Sequence, residues 1–163
     1  MSDDIKQLVE QLAGQLLEKK RRVCTAESCT GGLIAKSFTD LAGSSAWFER
    51  GFVTYSNEAK TEMLGVDESV INLYGAVSEA VASAMARGAL QHSAADYAIA
   101  VTGVAGPDGG SVEKPVGTVW LGLASKNQAV AEKFQLKGDR HSVREQTLLI
   151  AVRRLIELMS IER

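Results

Sequence analysis

The run from Tyr97 to Thr102, YAIAVT, is almost continuously apolar. A strand with one wet face alternates apolar and polar residues, so a run like this reads as a strand buried on both faces. A sheet holding such a strand needs a covering layer on each side. The chain supplies those layers as helices. Residues 3 to about 20 place Ile5, Leu8, Val9, Leu12, Leu16 and Leu17 at helical spacing, with Ser2 or Asp3 as cap. Val23 to Ala26 read as a short strand, and Leu33 to about Thr39 as a helix that Gly43 ends. Gly51 to Tyr55 read as the next strand. Ser56 and Asn57 are N-caps for a short helix carrying Lys60, and a further short helix covers Glu68 to Leu73. Ser78 caps a helix from Glu79 to about Gln91, whose small face (Ala80, Val81, Ala84, Met85, Gly88, Ala89) allows close packing on a sheet. Thr118–Ala124 and Ala129–Leu136 form a hairpin turning at Lys126 and Asn127, and His141 to about Ile161 is a closing amphipathic helix. The order α-β-α-β-α-α-α-β-β-β-α predicts a three-layer α/β/α sandwich on a mixed sheet, one domain over residues 1–163.

Charge and composition exclude several classes of function. The net charge is −2 with no basic block, which argues against nucleic-acid binding through a large positive face. Cys24 and Cys29 make neither a disulfide framework nor a zinc site, and with two histidines they give no ligand cluster at usable spacing. No metal or cofactor is expected. The N-terminus, MSDDIKQ, is acidic and polar rather than a secretory signal, and no apolar run is long enough to span a bilayer. The expectation is a cytoplasmic protein with no membrane partner.

The polar residues offer three kinds of chemistry. In TAESCTGGLIAK (25–36), Ser28, Thr30, Gly31 and Gly32 lie at a turn between an apolar run and a helix. The unpaired N–H groups of such a turn can hold a phosphate or a carboxylate; a plain capped turn is the simpler alternative. The segment Gly103 to Gly117 is a long loop with both prolines of the chain, and loops of that length are commonly functional. Among nucleophiles, a histidine-based triad is poorly served: His92 falls at a helix end and His141 at the start of the last helix, near Asp139. Cys29 is near a helix start, which lowers a thiol pKa, but a small buried cysteine is the commoner role. Ser45 and Lys60 flank one strand, and a buried lysine with a lowered pKa can deprotonate a serine. Tyr55, between them, can relay a proton. On spacing alone a turn serine and a solvated lysine remain the commoner reading.

The segments AESCTGG (26–32), GSSAWFERGFVTYSNEAK (43–60), GAVSE (75–79), TGVAGPDGGSVEKPVGTVW (102–120) and GDR (138–140) resemble the CinA C-terminal domain family, over nearly the whole chain. That resemblance implies a Ser/Lys amidohydrolase that converts nicotinamide mononucleotide to nicotinate mononucleotide and ammonia through an acyl-enzyme, without a metal or cofactor. It places the nucleophile on the second serine of GSS, Ser45, the lysine on Lys60 and a helper tyrosine on Tyr55, although the sequence itself does not separate Ser44 from Ser45. For the substrate's phosphate and ribose the candidates are Ser28, Thr30, Gly31 and Gly32 of the first turn, Thr102, Gly103 and Gly106 of the long loop, and Arg140. The same domain also occurs fused to a larger partner in competence- and damage-associated proteins, so a non-catalytic nucleotide- or protein-binding module is the alternative. The joint presence of Ser45, Tyr55 and Lys60 favours the enzyme. Close-packing helices and an exposed Trp47 leave a homodimer as a further expectation.

Overall fold

Large and small side chains alternate along the central strand: Tyr97, Ile99 and Val101 point to one face, Ala98 and Ala100 to the other. The strand is apolar on both faces but not equally bulky, and that inequality sets how the helical layers dock. The computed structural model describes residues 2–162. Its elements are α1 (Asp3–Lys19), β1 (Val23–Glu27), α2 (Leu33–Thr39), a short 3-10 turn (Ser44–Ala46), β2 (Phe48–Val53), α3 (Asn57–Leu64), α4 (Glu68–Tyr74), α5 (Glu79–Gln91), β3 (Tyr97–Gly103), β4 (Thr118–Ser125), β5 (Ala129–Gln135) and α6 (Arg140–Ile161). Side-chain oxygens of Ser2, Ser56, Asp67, Ser78 and Asp139 accept backbone N–H bonds at the starts of α1, α3, α4, α5 and α6.

The five strands lie in the order β2-β1-β3-β4-β5. β2, β1 and β3 run parallel; β4 and β5 are antiparallel additions. The sheet is therefore mixed, with helices on both faces, as the sequence predicts. α1, α2 and α6 cover the face carrying Val23, Ile99, Val101, Leu121 and Leu123. α3, α4 and α5 cover the face carrying Cys24, Ala26, Ala98, Ala100 and Ala124. On this small-residue face the backbones approach closely. A Cβ at Gly122 in β4 would stand 2.3 Å from the Ala82 carbonyl oxygen, and one at Gly88 in α5 only 2.0 Å from that of Leu64, so glycine is required at both contacts.

Three sequence expectations are corrected. The buried face of α5 is Val81, Ala82, Met85, Ala86, Gly88 and Ala89, so Ala82 and Ala86 replace Ala80 and Ala84 at the sheet. The second strand begins at Phe48 rather than Gly51. Trp47 is 1% exposed and packs edge-on against Phe38, with ring centroids 5.1 Å apart, so it is not available to meet a second copy of the chain.

The topology also prepares a site. The loop after β1 leads to α2 on one face of the sheet, while the loop after β2 leads to α3 on the other. Adjacent strand ends whose connections part in this way leave a crevice at the C-terminal edge of the sheet.

Candidate active site

Ser28 follows directly on β1 at that edge. Its backbone N–H donates to the Val101 carbonyl at 3.0 Å, and the Thr54 N–H donates to the Glu27 carbonyl at 2.9 Å, so the chain here is held from both neighbouring strands. Successive residues of an extended chain point to opposite faces. Glu27 accordingly turns toward α2, and Ser28 toward α3. The buried Glu27 carboxylate accepts bonds from the Thr30 hydroxyl (2.6 Å) and from the backbone N–H groups of Ile34 (2.8 Å) and Ala35 (3.0 Å). It thus satisfies the donors at the start of α2 and places negative charge at the positive end of the helix.

Glu27 thus occupies the N–H groups of Ile34 and Ala35 that a phosphate at the start of α2 would use. The Thr30 carbonyl accepts from the Arg144 guanidinium at 2.8 Å, and Gly31 (φ +58°) and Gly32 (φ +106°) supply the left-handed backbone of the turn. Thr30, Gly31 and Gly32 do not line the cleft described below; Ser28 does.

Lys60 lies one turn into α3 and is 1% exposed. Its ammonium nitrogen Nζ donates to Ser28 Oγ at 3.0 Å, to the Thr54 carbonyl at 3.1 Å and to the Tyr55 carbonyl at 3.4 Å. Burial lowers its pKa from the ordinary lysine value, because the charged form loses hydration that a few carbonyls replace only in part. A lysine in this state can accept the proton of the hydroxyl it touches. Cys29, the other nucleophile beside it, is driven the opposite way: burial pushes its thiol up to about 12, so it stays protonated and unreactive at neutral pH.

Ser45 is not brought to Lys60. It lies in the 3-10 turn before β2, at the edge of the sheet where β1 begins and where the Val23 N–H bonds the Trp47 carbonyl. Ser28 lies beyond the other end of β1, a strand of five residues, or roughly 17 Å of extended chain. The serine beside the lysine is thus the one assigned above to substrate binding. Tyr55 is at the site in a different way than expected. Its carbonyl, not its phenol, contacts Lys60; the phenol ring is 63% exposed and its hydroxyl accepts from Arg140 Nη2 at 3.3 Å.

A cleft of about 330 Å³ opens over Ser28 and Lys60. Tyr55, Asn57 and Arg140 contribute to its wall, with Ala76 and Val77 of the α4–α5 connection, the stretch Thr102–Gly106 where β3 ends and Asp108–Gly110 beyond it. Two bonds tie this wall together: the Thr102 hydroxyl donates to the Ala76 carbonyl at 3.0 Å, and Arg140 Nη1 donates to the Gly106 carbonyl at 2.8 Å. Seven expected residues thus meet in one place: Ser28, Tyr55, Lys60, Thr102, Gly103, Gly106 and Arg140. Ala76, Val77 and Asp108 are not singled out by the sequence, and Asn57 only as a helix cap, although each falls within a segment that carries the family resemblance.

A second hollow, of about 370 Å³, opens at the opposite edge of the sheet. Its polar groups are closed on one another. Lys19 donates to the Met159 carbonyl at 2.8 Å, Arg21 pairs with Asp96 at 3.2 Å, and the Ser125 hydroxyl donates to the Glu162 carboxylate at 2.7 Å. Among the described residues there is no cluster of three or more His, Cys, Asp and Glu side chains that would hold a metal ion, and no helix is long and apolar enough to cross a membrane.

The chain is similar to known proteins over nearly its whole length. The chain is 56% identical over 147 residues to the nicotinamide-nucleotide amidohydrolase PncC of Enterobacter agglomerans, covering 90% of each protein. It is 53% identical over 153 residues to that of Escherichia coli strain K12, covering 93% of each. The crystal structure of the competence/damage inducible protein CihA from Agrobacterium tumefaciens superposes with a TM-score of 0.95 at 45% identity, covering 97% of each chain. Residues 5–159 match the model of the CinA C-terminal domain, and the chain belongs to that family.

Proposed function

We propose that this chain hydrolyses the carboxamide of nicotinamide mononucleotide to nicotinate mononucleotide and ammonia, with Ser28 as nucleophile and Lys60 as its base. The names of the similar amidohydrolases from Enterobacter agglomerans and Escherichia coli support the reaction. The observation that carries the assignment of residues is the buried 3.0 Å contact between Lys60 Nζ and Ser28 Oγ at the floor of the cleft.

In this reading neutral Lys60 takes the Ser28 proton as Oγ attacks the carboxamide carbon. The tetrahedral oxyanion is met by backbone N–H donors of the surrounding loops. Lys60 returns the proton to the departing nitrogen, which leaves as ammonia, and Ser28 is left as an ester of the nicotinate ring. Water then attacks the ester carbonyl, Lys60 again serving as base, and Ser28 is released. Arg140, a permanent cation at the rim, holds the substrate phosphate through guanidinium N–H groups beyond the two used on Gly106 and Tyr55. Tyr55, held by Arg140, closes the outer side of the cleft.

The test is ammonia release from nicotinamide mononucleotide by the wild type, Ser28→Ala and Ser45→Ala, with intact-mass analysis of the wild type during turnover. The expected result is activity in the wild type and in Ser45→Ala, its loss in a folded Ser28→Ala, and on the wild type a transient adduct of the mass of a nicotinate-nucleotide acyl group. Full activity in Ser28→Ala would remove Ser28 as nucleophile. A wild type that releases no ammonia would remove the amidase reading itself.

A further inference from the structure

Asp108 is the one carboxylate among the described residues that line the cleft. Among those residues it takes part in no ion pair, although Arg140 lines the same cleft. Asp108 itself is exposed, and the chain on either side of it is constrained. The preceding Gly106 carbonyl is bound by Arg140, and the following Gly109 and Gly110 are both left-handed (φ +85° and +82°). A Cβ at Gly110 would come within 3.0 Å of the Val116 N–H nitrogen, so the loop folds tightly back on its own far side. The loop thus presents an acceptor-only group at the exposed rim of the cleft.

We propose that Asp108 accepts hydrogen bonds from the vicinal hydroxyls of the substrate's ribose and so selects ribonucleotides over 2′-deoxyribonucleotides. The inference rests on the amidase reading above. It follows from matching the charges of the substrate to those of the cleft. The carboxamide must reach Ser28. The phosphate is repelled by a carboxylate and drawn to Arg140. The remaining polar part of the substrate is the diol, with two O–H donors on adjacent carbons, and a carboxylate with two acceptor oxygens complements it. The same pairing of an acidic side chain with a ribose hydroxyl recurs at dinucleotide sites of other α/β proteins.

The deciding experiment is equilibrium binding of nicotinamide mononucleotide and its 2′-deoxy analogue to Ser28→Ala and to the double variant Ser28→Ala/Asp108→Ala, alongside ammonia release by wild type and Asp108→Ala. The ribonucleotide should bind Ser28→Ala about 10- to 100-fold more tightly than the deoxy analogue, and the double variant should bind both alike. Asp108→Ala should lose more kcat/KM on the ribonucleotide than on the deoxy analogue, which keeps one of the two hydroxyls, and an unchanged circular dichroism spectrum shows that it is folded. If removing Asp108 weakens both nucleotides equally, the carboxylate answers the positive pyridine ring and the diol assignment is overturned. An undiminished preference for the ribonucleotide in the double variant overturns it as well. If the wild type releases no ammonia, the amidase reading fails, while the binding ratio still decides what Asp108 does.

Discussion

The two edges of the central sheet carry similar numbers of polar groups and treat them differently. At the edge where β1 and β3 begin, Lys19, Arg21, Asp96, Ser125 and Glu162 bond to one another or to backbone. At the edge where those strands end, Lys60 is buried against a hydroxyl and a few carbonyls with no carboxylate beside it, while Asp108 and Arg140 line the cleft without pairing. A closed set of polar groups contributes modest stability. An open set is costly to fold and is left to act on something else. Ser28 and Ser45 divide along the same line. One ends a strand at the open edge, the other precedes a strand at the closed edge.

The comparison can be broken most sharply at the two serines. Ser28→Ala should lower kcat for ammonia release by at least about a thousandfold, and Ser45→Ala should leave it within about threefold; activity assays with purified variants check both. Lys60→Met should cost about a hundredfold to ten-thousandfold. The pH profile sharpens this point. Only neutral Lys60 can accept the serine proton, and its pKa lies below the ordinary lysine value of 10.5. Activity should therefore rise with pH through one ionisation below that value and fall as the lysine protonates on the acid side. A kcat/KM profile without that rising limb would separate Lys60 from the chemistry.

Smaller effects are expected where polar groups serve the fold. Glu27→Gln keeps one acceptor but presents an amide N–H₂ to the donors of α2, and should lower the unfolding free energy by about 1–3 kcal/mol in denaturant titrations. At the closed edge, Asp96→Ala removes an exposed pair with Arg21 and a bond from the Arg22 N–H. It should cost no more than about 1 kcal/mol and leave ammonia release unchanged. A large loss of activity from Asp96→Ala would end the division of labour between the two edges.

The layers, the helix caps and the hairpin were legible in the sequence because each has a local cause. Ser56, Ser78 and Asp139 precede helical patterns, and the run Ala98 to Val101 has no polar member to turn toward water. The buried side of α5 was misplaced because EAVASAMARGAL has small residues nearly all around, so spacing alone gives the helix no single apolar stripe. That Lys60 meets Ser28 rather than Ser45 has a topological reason. Ser45 and Lys60 are close in sequence, but β2 carries the chain from one edge of the sheet to the other between them. Ser28 is 32 residues from Lys60 and meets it because β1 and β2 are parallel and end together. Parallel pairing is a long-range property that a local reading does not see.

The long loop after β3 has a consequence for how this architecture can diversify. β3 and β4 are antiparallel neighbours, with Gly103 opposite Val119, so the loop leaves the sheet and rejoins it at the next strand. It is an excursion between two points that are already adjacent, not a bridge between layers. The entropy of closing such an excursion grows only slowly with its length. Residues can thus be gained, lost or exchanged between Val104 and Gly117 without re-registering a strand or moving a helix. The roof over the serine and lysine can be rebuilt while its foundations stand, which gives descendants of this fold a route to new substrates without re-inventing the reaction.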